Sequence, residues 1–171
     1  NEAEGFVCDC AISGFGGALC EKPVIYVDVG LEEVLTQDGQ AWSTAFVDLQ
    51  EAIDRASESA SRSRPVQVRV KAGTYIPSSG VEDSVTDTSL FTFKLKNNVE
   101  IYGGFLGTEQ SLAERTAALN EHYGVFQFID ERETILSGNV DRTPLDSQTN
   151  LDTDTADNSR HVVSAQGLDK S

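Results

Sequence analysis

The residues with the most chemistry to offer lie in one acidic stretch. Asp141, Asp146, Asp152, Asp154, Asp157 and Asn158 follow one another in a polar stretch with four threonines. Closely spaced carboxylates are the donors a hard cation such as calcium takes, with Asp152, Asp154 and Asp157 as the metal ligands. The stretch departs from the EF-hand loop. Asp157 stands at the sixth place, where that loop needs glycine, and Val163 at the twelfth, where it needs glutamate. A solvated acidic loop is the stronger expectation, since a run of like charges is usually a wet face. Calcium is the one ion the chain invites, and no cofactor is required.

Other reactive groups are scattered. Arg69, Lys71, Lys94 and Lys96 alternate along strand-like segments. They are expected to face outward, where such cations meet carboxylates of an acidic sugar or simply water. Trp42, Tyr75, Tyr102 and Phe105 offer faces on which a sugar ring stacks, although core and cap packing is the ordinary role for such residues. His122 sits in an insertion and His161 at the start of an apolar run. A lone histidine in either place is expected to be structural or superficial. No Gly-x-Ser-x-Gly, phosphate loop or His-Glu-x-x-His occurs. No catalytic residue is assigned.

The elements that must position these groups are mostly short strands. Val24–Val29 is β-branched and aromatic, bounded by Pro23 and Gly30. Asp38-Gly39 marks a turn. Phe46, Leu49, Ile53 and Ala56 recur at helical spacing, which predicts an amphipathic helix over 44–56 capped by Ser43 or Thr44. Val66–Val70 alternates strictly, as a half-buried strand does. Leu90–Leu95 alternates again, Asn97-Asn98 turns the chain, and Val99–Phe105 follows. Thr134–Gly138 and His161–Ser164 are the last strand candidates. Short strands recurring every ~25–35 residues with one strong helix argue for a solenoid over a sandwich, while spacing alone leaves a mixed α/β fold open.

Cysteine usage divides the chain. Cys8, Cys10 and Cys20 are its only cysteines. Thiols confined to one short segment suggest a disulfide-stapled module joined to a domain with its own core. Three cysteines with no nearby histidine make a poor zinc set.

Residues 8–20 read Cys-Asp-Cys-Ala-Ile-Ser-Gly-Phe-Gly-Gly-Ala-Leu-Cys. The pattern resembles the C-terminal half of an EGF-like module: Cys-x-Cys, glycine–aromatic, glycine and a final cysteine. The resemblance implies that Cys10 pairs with Cys20, and Cys8 with a cysteine outside the chain. A loop this short closed by a disulfide gains roughly 2–3 kcal/mol. Residues 1–22 are assigned to this partial module.

Residues 23–171 carry a second resemblance. Val24–Asp28, Asp38-Gly39 with Trp42 and Ala45-Phe46, Leu49–Ala52, Val70–Tyr75, Val99–Phe105 with Gly107-Thr108-Glu109, and Ile135–Gly138 occur in order. Together they resemble the opening of a pectin-lyase-like right-handed parallel β-helix. The implied fold is mainly β: the start of a solenoid behind an N-terminal capping helix, with Phe46, Leu49 and Ile53 plugging the open end. Enzymes of that family are polysaccharide lyases, with calcium-held carboxylates and an arginine base, or hydrolases with paired aspartates. The hydrolase hallmarks Asn-Thr-Asp, Asp-Asp and Gly-His-Gly do not occur here.

Bulk properties narrow the partners. The net charge is −15, which makes nucleic acid a poor partner, because phosphate binding needs a basic surface. No apolar run is long enough to span a membrane. The chain opens Asn1-Glu2-Ala3-Glu4 and has no methionine, so we expect a piece of a longer protein. The leading expectation is a non-catalytic segment of a secreted or cell-surface protein, contacting extracellular glycans or proteins as a stalk or adhesin. The alternative is the N-terminal cap of a polysaccharide lyase or glycoside hydrolase acting on acidic polysaccharide.

Overall fold

A computed structural model describes residues 22–32, 36–79, 87–115, 132–140, 158–165 and 168. The described chain is mainly β. In order it forms β1 (Val24–Val27), helix α1 (Leu49–Ser59), β2 (Val66–Lys71), β3 (Gly73–Tyr75), β4 (Phe93–Lys94), β5 (Val99–Phe105), β6 (Thr134–Leu136) and β7 (Val163–Ser164). Short 3₁₀ turns occupy Trp42–Thr44 and Thr88–Leu90.

Every pairing between these strands is parallel. One sheet has the order β1-β2-β5, and two further sheets are the pairs β3-β6 and β4-β7. From β2 onward the chain therefore visits the three sheets in sequence, then visits them again in the same sequence. Residues stack in columns across neighbouring strands. Ile25, Val68 and Ile101 form one column, and Tyr26, Arg69 and Tyr102 the next.

The core lies between the β1-β2-β5 sheet, the helix and the strand β4. Val27, Val66, Val68 and Val70 meet Leu49, Ala52, Ile53, Ala56, Tyr75 and Phe93. Leu49, Ala52, Ile53 and Ala56 share one face of α1 because they recur at the helical period. Burying each large aliphatic chain contributes roughly 1.5–3 kcal/mol.

The helix begins five residues later than the periodicity predicts. Asp48, and not Ser43 or Thr44, is its N-cap, its carboxylate accepting the Glu51 N–H at 3.0 Å. The reason lies upstream. Phe46 donates its N–H to the Tyr26 C=O and accepts the Asp28 N–H at its own C=O, both at 2.9 Å. A backbone engaged beside β1 in this way is extended and cannot be helical. Phe46 remains buried in the core, but from a bridge to Val27 and not from the helix.

Two other segments differ from expectation. Of Leu90–Leu95, only Phe93 and Lys94 form strand, because Asp87 caps a 3₁₀ turn by accepting both the N–H and the hydroxyl of Ser89. The alternation of β2 does not give one wet face. Gln67 and Arg69 are buried along with the valines that flank them.

A bulge in β5 accounts for part of that cover. Arg69 aligns with Tyr102, but Lys71 aligns with Phe105, so Gly103-Gly104 stands opposite the single residue Val70. Gly104 has φ of +82°, a conformation open to glycine and strained for other residues. The extra residue returns Phe105 to the same face as Tyr102.

Candidate functional site

The densest polar chemistry lies on the face of the β1-β2-β5 sheet turned away from the core. Tyr26, Arg69 and Tyr102 share one row there, with Asp28 and Lys71 beyond it. Trp42, from the 3₁₀ turn, lays its ring 4.6 Å from Tyr26 and 5.6 Å from Phe105. The loop after β5 closes over this face.

Arg69 is 6% exposed. Its guanidinium donates to the Gln110 C=O at 2.6 Å and the Gln67 side-chain oxygen at 3.2 Å, and it lies 5.9 and 6.0 Å from the Tyr26 and Phe105 ring centres. The expectation that Arg69 faces outward is therefore corrected. A strand position that points away from one core is still buried when a loop covers the other face.

The loop is fastened at several points. The Trp42 indole N–H donates to the Glu109 C=O at 2.9 Å. The Glu109 carboxylate accepts the N–H groups of Leu106 and Thr108, and Arg132 Nη1 at 2.7 Å. Both members of that ion pair are nearly enclosed, at 10% and 7% side-chain exposure. Burial alone would raise the Glu109 carboxyl, but the hydrogen bonds from Arg132 and the loop backbone outweigh it and hold it below its ordinary value. Arg115 adds a bond to the Gly103 C=O and lies over the Phe105 ring.

The other cations considered from sequence are also engaged. Lys71 pairs with Asp28 at 2.6 Å, and Lys96 pairs with Asp54 at 3.0 Å. Tyr75 is enclosed, donating its hydroxyl to the Lys71 C=O at 3.0 Å and accepting the Val29 N–H at 3.3 Å. Burial pushes its phenol up to about 12. Tyr102 bonds to Glu100, which also pairs with Lys22. This face is thus occupied by its own network.

The sequence reading missed the Asp28–Lys71 and Glu109–Arg132 pairs. A signal for the first was present. Laying Ile25-Tyr26-Val27-Asp28 beside Val68-Arg69-Val70-Lys71 puts opposite charges side by side. Nothing local pointed to Arg132, which follows Glu109 only after a long intervening segment.

Two shallow depressions lie elsewhere, beside β3. One, of about 200 Å³, is lined by Val29, Val47, Asp48, Leu49, Glu51 and Tyr75, among others. Its neighbour, of about 310 Å³, is lined by Val29, Thr74, Ile76, Ser137 and Asn139. They share Val29, Thr74 and Ile76.

Phe46, Leu49 and Ile53 are brought together in the core. His161 is exposed. Cys8, Cys10, Cys20, His122, Asp152, Asp154 and Asp157 lie outside the described residues. No described helix is long and apolar enough to cross a membrane. No family model, curated protein or solved structure matches the chain.

Proposed function

We propose that residues 23–171 form the closed end of a right-handed parallel β-helix in a secreted or cell-surface protein. In this reading the chain is a non-catalytic segment, a stalk or adhesin, that contacts extracellular glycans or proteins. The observation that carries it is the repeated visit to three parallel sheets, β2-β3-β4 and then β5-β6-β7. A coil that stacks on the previous one must revisit its faces in the same order. The helix α1 fits the role of an end plug, because its apolar face packs on strands of two different sheets. The non-catalytic part of the reading rests on the cations: Arg69, Lys71 and Lys96 are held by internal partners.

The EGF-like assignment of residues 1–22, with a Cys10–Cys20 disulfide, and a calcium site at Asp152, Asp154 and Asp157 rest on the sequence. The disulfide would place the protein in an oxidising compartment.

The test is incubation of the protein with acidic polysaccharides, with and without calcium, beside a binding screen on extracellular glycans. The reading expects no cleavage product under either condition. Release of unsaturated or hydrolysed oligosaccharides by this chain would overturn it and favour the lyase or hydrolase cap.

A further inference from the structure

The strands facing away from β5, β6 and β7 present three backbone edges, and these are not treated alike. The β1 edge is occupied by the segment around Gly39 and Phe46. Tyr26 N–H donates to the Gly39 C=O, and Asp28 N–H to the Phe46 C=O, each at 2.9 Å. The β4 edge is occupied by the side chain of Gln50, which bonds both backbone groups of Lys94.

The β3 edge is different. Gly73 N–H donates to the Glu133 C=O, and Ser137 N–H donates to the Tyr75 C=O. Gly73 and Tyr75 therefore turn their backbone groups toward β6. In a parallel ladder the residue between them turns its N–H and C=O the opposite way. That residue is Thr74, which is exposed, and among the described residues nothing bonds these two groups. The edge gives onto the two adjoining depressions that Thr74, Val29 and Ile76 share. Among the described residues their lining includes the carboxylates of Asp48 and Glu51 and no lysine or arginine.

The geometry points to the Thr74 edge as a docking site for an extended basic peptide strand of another polypeptide, added beside β3. The Thr74 N–H and C=O offer a donor and acceptor on one side, as backbone-mediated strand addition requires. Val29 and Val47, both half-buried, give an apolar wall for one set of alternating side chains. Asp48 and Glu51 give a charge partner for a lysine or arginine. A glycan fits this site less well. Among the described residues the only aromatic ring in the lining is Tyr75, which is buried with its hydroxyl already bonded. The inference rests on edge geometry and stands independently of whether the sheets continue into a longer solenoid.

The experiment uses the ¹⁵N-labelled full chain and a blocked synthetic peptide, Lys-Val-Thr-Val-Lys. The expected result is a saturable shift of the Thr74 amide resonance, with slower hydrogen exchange at that amide. The same peptide N-methylated on its edge-facing amides should bind roughly tenfold or more weakly, because the backbone pair is lost. Asp48→Asn with Glu51→Gln should weaken binding by about threefold and reduce its salt dependence. Asparagine still caps a helix, so this variant should keep α1. Three results would each overturn the proposal: protection of the Thr74 amide in the free chain, equal binding of the N-methylated peptide, or equal binding of a glutamate-flanked one. A readout at the ligand edge separates this from failure of the structural-segment reading, which is tested by cleavage products.

Discussion

Gln50 and Lys94 are paired as if the glutamine side chain were a short piece of strand. The Gln50 Oε1 accepts the Lys94 N–H at 2.7 Å, and Nε2 lies 3.4 Å from the Lys94 C=O, to which it donates. Phe93 and Leu95 turn their N–H groups toward β7, so Lys94 alone faces the other edge. Gln50 is 4% exposed, on the same helix that fills the core. One residue thus docks the helix and closes the β4 edge.

Gln50→Ala should be costly for a residue outside the apolar contacts. It removes the side-chain bonds to both the Lys94 N–H and C=O, a loss of about 1–3 kcal/mol. Urea unfolding should show a lower midpoint with little change in slope. Hydrogen exchange should quicken at the Lys94 amide before it does at Val68. Unaltered exchange at Lys94 would show that the pairing contributes nothing.

Acid should loosen the loop over Arg69. The Glu109 carboxyl has a folded pKa below its unfolded one. Its contribution to stability is complete above the unfolded value and is lost as pH falls through the folded value. Thermal unfolding between pH 7 and pH 3 should therefore decline at the acid end. Glu109→Gln should reduce that decline, while costing about 3 kcal/mol at pH 7, because Arg132 is left enclosed without its anion. A pH profile identical to that of the unaltered protein would count against the role of this pair.

Leu49→Asp should expose the end that α1 covers. It puts a carboxylate where Leu49 is almost wholly buried among Val27, Val66 and Phe93. Static light scattering should report association at concentrations where the unaltered chain is monomeric. Ile53→Ala removes only packing and should cost about 2–5 kcal/mol. If Leu49→Asp lowers stability to the same extent without raising scattering, the helix stabilises the core but does not guard the end.

Gly39 should tolerate no side chain. Its φ is +68°, and a β-carbon there would come within 2.7 Å of the Phe46 ring and 2.8 Å of Ile25. Gly39→Ala combines left-handed strain of about 1–2 kcal/mol with overpacking of about 1–3 kcal/mol. Calorimetry should record the lowered midpoint. A midpoint within the error of the unaltered protein would mean that the turn relaxes freely.

Much of the secondary structure was legible without coordinates, because local patterns carry it. The β-branched runs at Val24, Val66 and Val99 became strands, and the apolar period of Leu49, Ile53 and Ala56 became a helix face. Less legible were the boundaries set by partners distant in sequence. Phe46 has the right spacing to belong to the helix, yet its backbone pairs with β1. Arg69 has the alternation of an outward residue, yet a loop and two aromatic rings enclose it.

By itself, then, the sequence determined where most of the strands lie, the amphipathic face of the helix, the acidic balance and the expectation of a stacked fold. Only the tertiary structure decided which polar groups remained available. Arg69, Lys71 and Gln50 are spent on partners 41, 43 and 44 positions away. Thr74, between two residues committed to β6, is left with its backbone facing out. Periodicity reports which side of an element is apolar, whereas hydrogen-bond satisfaction depends on what the rest of the chain brings to that side.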